Sequence, residues 1–184
     1  MKLKHTILFL LLTISQSILA QTAIENLLKP ADSLNIQRRN GVIISQAAIA
    51  TATFVGLNEL WYKDYPKSDF HTINDNAEWL QMDKAGHVFS AYQLSKDSSD
   101  ALAWRKKKKK NQLLYGATSG FVMLSAIELL DGYSSKWGAS VGDLLANASG
   151  TTLYVSQELL WKERRIVPKF SFHTTPYASA RPNV

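Results

Sequence analysis

An all-α fold, a bundle of four or five helices, follows from three features of this chain. Apolar stretches of helical length recur at residues 42–60, 113–130 and 137–161. Small residues repeat within them every four positions: Gly116 and Gly120, then Gly138, Gly142, Ala146 and Gly150. Polar groups interrupt the apolar surroundings at helical spacing: Asp83 with His87, Glu128 with Asp131, Asp143 with Asn147. Two or three of these helices are glycine-rich enough to suit a membrane as well as a close-packed bundle core.

The chain begins with Lys2 and Lys4, an apolar run at residues 7–12, and small or polar residues to Ala20-Gln21. This order reads as a secretory signal over residues 1–20, with Gln21 as the mature start. An uncleaved anchor is the competing reading, but the apolar run is shorter than the ~20 residues a span needs. Residues 21–40 are polar and mixed. The helical domain occupies residues 41–165, and residues 166–184 form an extended tail. Residues 169–173 alternate like a strand, so the tail is either a disordered end or a segment cut short of its partner strands.

At 46% hydrophobic and 20% charged the sequence is not that of a disordered chain, and 184 residues leave room for one domain with a core. Cysteine is absent, which excludes disulfides, thiolate metal sites and a lipidated cysteine within these residues. The formal charge of +6 is concentrated: Arg105 and the five lysines after it form one tract. No aromatic residue interleaves that tract as single-strand binding requires, and nucleic acid is not an expected partner. The expected partners are membrane lipid and an envelope protein.

In the stretch 42–60, Ser45, Gln46, Asn58 and Glu59 interrupt a run long enough to cross a bilayer, and Trp61-Tyr62 suit a headgroup level. Residues 63–76 lose the helical pattern, and Asn74-Asp75-Asn76 is expected to cap the next helix. His71 reads as a surface histidine. That next helix contains Gln81 to His87 and continues to about Leu94, before the polar residues 97–100. Asp83 and His87 are four apart, about 40° on the helical wheel, and so share a face. Gly86 permits close approach of a neighbour. Gly132 and Ser134-Ser135 end the helix at 113–130.

Three readings of the polar residues compete. In the first, Asp83, Lys84, His87, Glu128, Asp131, Asp143 and Asn147 form a buried cluster that fixes which helix packs where. In the second, His87 is an acid or base, Asp83 or Asp143 orients its ring, and Lys84 takes the charge of a lipid-linked or phosphate-bearing substrate. In the third, His87, Glu128 and Asp143 hold a divalent metal, although one histidine makes the set ligand-poor for a transition metal. The candidate catalytic residues are therefore His87, Asp83, Glu128 and Asp143. The sequence names no cofactor, and no phosphate-binding glycine loop, HExxH or nucleophile elbow is present.

Asp83-Lys84-Ala85-Gly86-His87 with Tyr92, then Glu128 to Gly132, then Gly142-Asp143 with Ala146, Asn147 and Gly150, resembles the YfiM-like family of predicted periplasmic lipoproteins, a domain of unknown function. The same skeleton is similar to VanZ-like membrane proteins. The resemblance implies a helical fold and an exported location, and it implies no particular reaction. Without a cysteine to lipidate, membrane attachment falls to the helices. If the stretches 42–60 and 113–130 both cross a membrane, the basic tract and the Asp83 motif are expected on the same side of it.

Overall fold

The computed structural model describes residues 25, 26, 28–105, 108–171 and 173, so the expected signal at 1–20 and most of the tail lie outside it. Within those residues the fold is all-α with four helices and little strand. Helix α1 is Ile36–Leu57, extended by a π-helical turn Asn58–Tyr62. Helix α2 is Met82–Trp104. A helical turn Lys109–Asn111 and a π-helical stretch Gln112–Ala117 lead into α3, Thr118–Asp131. Helix α4 is Val141–Leu160.

Contacts at the helix ends show that successive helices run in opposite directions. Arg38, near the start of α1, donates to Trp104 O at the end of α2. Tyr62, just past α1, donates to Asp131 at the end of α3, 2.7 Å away. Lys109, ahead of α3, pairs with Glu158 at the end of α4. The bundle thus has a basic end, near Arg38, Arg105 and Arg164, and an acidic end, near Asp83, Glu128 and Asp143. Because α2 is 23 residues long, its two ends lie about 34 Å apart. Arg105 and Lys109 therefore lie at the opposite end of the bundle from the Asp83 motif.

Helix α2 is the central element, and small residues let its neighbours reach it. A Cβ added at Gly150 of α4 would stand 2.2 Å from Val88 O of α2. At Gly120 of α3 it would meet Ala91 O at 2.6 Å, and at Gly116 it would meet Ser99 Cα at 2.7 Å. Ser95 and Ser99 are consequently buried. Ser95 bonds Thr151 at 3.0 Å, and Ser99 donates to Gln112 O at 3.0 Å. This polar interior explains why α2 runs on to Trp104, ten residues past the expected stop near Leu94. Residues 97–100 are helical, with Ser99 facing the core.

Two glycines do not pack helix on helix as expected. Gly86 has open space where a side chain would go. Gly138 precedes α4, which begins at Val141, and it lies against Ile73 and His71. There the chain forms a two-residue parallel pair, β1 (Thr72–Ile73) with β2 (Ala139–Ser140). His71 is part of this seam: its Nε2 donates to Trp137 O at 2.6 Å, so it is structural and only partly exposed.

Asn74-Asp75-Asn76 does not cap α2. That helix starts from Gln81 without a side-chain cap, after three residues with positive φ: Trp79 (48°), Leu80 (50°) and Gln81 (61°). Each costs on the order of 1–2 kcal/mol in that region. Among the described residues after α4 there is also no strand. That segment is held by Gln157, which donates to Ile166 O and accepts from Ile166 N, and by Gln93, which donates to Pro168 O.

Candidate functional site

The acidic end of the bundle gathers polar groups from every element that meets there. Ser140 caps α4: its hydroxyl accepts from Asp143 N at 3.2 Å and donates to Asp75 at 2.7 Å. Its backbone N–H donates to Glu128 Oε2 at 3.1 Å, which ties the end of α3 to the start of α4. Lys84, near the start of α2, lies 2.6 Å from Asp75, 2.9 Å from Asp143 and 3.2 Å from Asp83. Its side chain is only 13% exposed, so these are partly dehydrated pairs with real energetic weight. Lys84 does not reach Glu128 as a pairing partner; it neutralises the Asp75 and Asp143 side of the cluster.

His87 occupies the centre. Its Nδ1 is 2.9 Å from Asn147 Oδ1, a fully buried amide on α4. With that oxygen as acceptor, Nδ1 carries the proton, and in the neutral ring Nε2 presents a lone pair. Around Nε2 stand Asp83 Oδ1 at 3.7 Å, Glu128 Oε1 at 3.7 Å and Asp143 Oδ1 at 3.8 Å. None is close enough for a hydrogen bond. Asp83 is about half exposed and opens the cluster to solvent, whereas Glu128 and Asp143 are buried.

Confinement of so much negative charge shifts the carboxyl groups. Burial pushes Glu128 up to about 7; the Ser140 N–H opposes this, and the Asp143 charge adds to it. Burial likewise raises Asp143 and Asp131 above the usual carboxylate range. Asp75 behaves in the opposite way. Burial disfavours its charged form, but hydrogen bonds from Lys84 and Ser140 outweigh that and hold it below its usual range. Burial also works against the Lys84 ammonium, yet Asp75, Asp143 and Asp83 raise it above the ordinary lysine value.

All seven residues singled out in the sequence therefore lie at this end, with Asp131 at the margin, bonded to Tyr62. Two contributors escaped sequence reasoning. Asp75 reads as a cap for the following helix but turns towards Lys84 and Ser140. Ser140 was legible in principle, because Ser-x-x-Asp ahead of an apolar run is a helix-start pattern. Gly142 lets Asn76 and Lys84 lie close over the first turn of α4, where a Cβ would meet Asn76 Oδ1 at 2.3 Å.

No curated protein and no solved structure matches this chain. A family model does match, from the loop before β1 to the end of α4, and it takes in the whole polar cluster while leaving α1 outside. The match bears out the resemblance to periplasmic lipoproteins and does not extend to VanZ-like proteins. Residues 69–158 match the model of the family described as predicted periplasmic lipoprotein (DUF2279).

Proposed function

We propose that this is an exported, membrane-associated envelope protein that acts as a helical scaffold, with α1 meeting lipid and the polar cluster locking the far end of the bundle. One observation carries the reading. The apolar helix Ile36–Tyr62 runs for 27 residues, yet only 6% of its most apolar stretch is buried. Ile43, Ile44, Ile49 and Val55 are all more than half exposed. An apolar surface of that extent on one helix is a binding surface. Its ends fit lipid: Arg38 and Arg39 lie near one, Trp61 and Tyr62 at the other. The periplasmic description of the family agrees with an envelope location. The 184 residues hold no cysteine that could carry a lipid chain.

The cluster supports scaffolding because it links α2, α3, α4 and the loop before α2 through Lys84, Ser140 and Glu128. Flotation of the full chain with phospholipid vesicles tests the membrane half of the reading. Wild type is expected to float, and an Ile44→Glu, Ile49→Glu double variant to remain at the bottom of the gradient. Wild-type protein left at the bottom would refute the proposal.

A second reading, a small envelope enzyme acting on a lipid-linked or phosphate-bearing substrate, is favoured by the opening at Asp83 above His87. His87→Gln separates the two. A variant with native stability that no longer rescues a deletion strain supports chemistry; one that rescues fully supports the scaffold.

A further inference from the structure

The distances around His87 Nε2 are too long for hydrogen bonds and close to those around a bound ion. Two ligand atoms on a tetrahedral ion with ~2.05 Å bonds lie about 3.3 Å apart. The Nε2-to-carboxylate separations are 3.7, 3.7 and 3.8 Å, a few tenths of an ångström longer. The reactive atoms of Asp83, His87 and Asp143 all lie within 4.8 Å of one another.

Three further features point to a cation. First, Asn147 takes the Nδ1 proton, the arrangement by which a metal-binding histidine is oriented with its other nitrogen towards the ion. Second, Asp143 Oδ1 is buried, and its charged neighbour, the Lys84 ammonium at 2.9 Å, is shared with Asp75 and Asp83. That oxygen faces the histidine nitrogen. Third, charge is unbalanced. Among the described residues, Asp75, Asp83, Glu128, Asp131 and Asp143 are set against Lys84 and His87 within the cluster. Lys84 is shared among Asp75, Asp143 and the outer oxygen of Asp83, which leaves Asp83 Oδ1 on the histidine side.

We propose that His87 Nε2 and the carboxylates of Asp83, Asp143 and Glu128 form a binding site for a divalent first-row transition metal. One imidazole with three carboxylates suits zinc or manganese, and the imidazole disfavours magnesium and calcium. Asp83 is the exposed ligand and the side through which the ion enters. Including Asp83 makes four donors where the sequence offered three. Lys84, Asn147 and Ser140 are positioning residues that hold the donors from behind.

The test is calorimetric titration of chelator-stripped full chain with Zn2+ and with Mn2+, supported by the visible absorption spectrum of Co2+. The expected result is one ion per chain. Asp83→Asn is expected to weaken binding by at least ~10-fold, the lower bound for even an outer-shell partner. The exposed, remote Glu163→Gln is expected to change nothing. Absence of stoichiometric uptake of all three ions would overturn the proposal. So would His87→Gln and Asp83→Asn variants that bind as tightly as wild type, since the ion would then sit elsewhere. If circular dichroism shows that His87→Gln fails to fold, Asp83→Asn decides alone, because its half-exposed side chain leaves no buried charge when replaced. Vesicle flotation and metal titration fail independently, so loss of this site leaves the membrane reading standing.

Discussion

Two glycines four residues or fewer from functional side chains should respond oppositely to one added methyl group. Gly150 lies where α4 crosses α2, and a Cβ there would sit 2.2 Å from Val88 O and 3.0 Å from Ala91 Cβ. A carbonyl oxygen in a helix cannot rotate aside, so relief requires the two helices to separate by about 1 Å. Overpacking of this kind costs about 1–3 kcal/mol and occasionally more. Alanine returns roughly 1 kcal/mol through helix propensity. The strain sits against backbone, and so we place Gly150→Ala near 2 kcal/mol destabilising after that offset. In a chain of this size this lowers Tm by roughly 4–8 °C. Gly86→Ala meets nothing within 4 Å on α2 and keeps only the propensity gain, roughly 0.5–1 kcal/mol stabilising. Thermal unfolding of both variants in one detergent, followed by far-UV circular dichroism, gives the comparison. A Gly150→Ala protein as stable as wild type, or a Gly86→Ala protein clearly less stable, would refute the packing described for α2 and α4.

Lys84→Met should cost about 3–5 kcal/mol, since it strands the buried Asp143 and the largely buried Asp75 without their cation. Urea unfolding measures it, and a loss below about 1 kcal/mol would show that the pairs lie in effective contact with water. At the other end of the bundle, burial disfavours a charged Glu158, but Lys109 and Arg164 outweigh this and hold its carboxyl below the usual value. A lowered folded-state value means the contribution is present above the unfolded glutamate range and is lost as pH falls through the folded value. Acid unfolding should therefore be shallower in Glu158→Gln, which loses on the order of 1–2 kcal/mol at neutral pH. Equal acid sensitivity in variant and wild type would remove the network from the account.

The members of the polar cluster were legible because charge in an apolar helix is costly and therefore conspicuous. Asp83 and His87 share a face by spacing alone, and Asp143 with Asn147 does too. Asp75 was not legible, because a loop aspartate between two asparagines has the same composition whether it caps a helix or reaches across to Lys84. The continuation of α2 through residues 97–100 was hidden for a related reason. Two of its core-facing side chains are Ser95 and Ser99, which look like surface until Gly120 and Gly116 are laid against them. The pairing of β1 with β2 joins residues 67 positions apart over two residues, a length at which no local pattern exists.

By itself the sequence determined the helical class, the approximate bounds of α1, α3 and α4, and most of the chemical inventory of the acidic end. Periodicity, capping residues and the expense of buried charge are local properties that any reader of the chain can apply. Only the tertiary structure decided which glycines are filled by a neighbour and which are open, and that α1 is largely exposed while α2 is enclosed. It also decided that Arg105 and Lys109 lie at the opposite end from the histidine. Those outcomes depend on how separate helices approach one another in space. The same Gly or Ser is interior or surface according to what is placed against it.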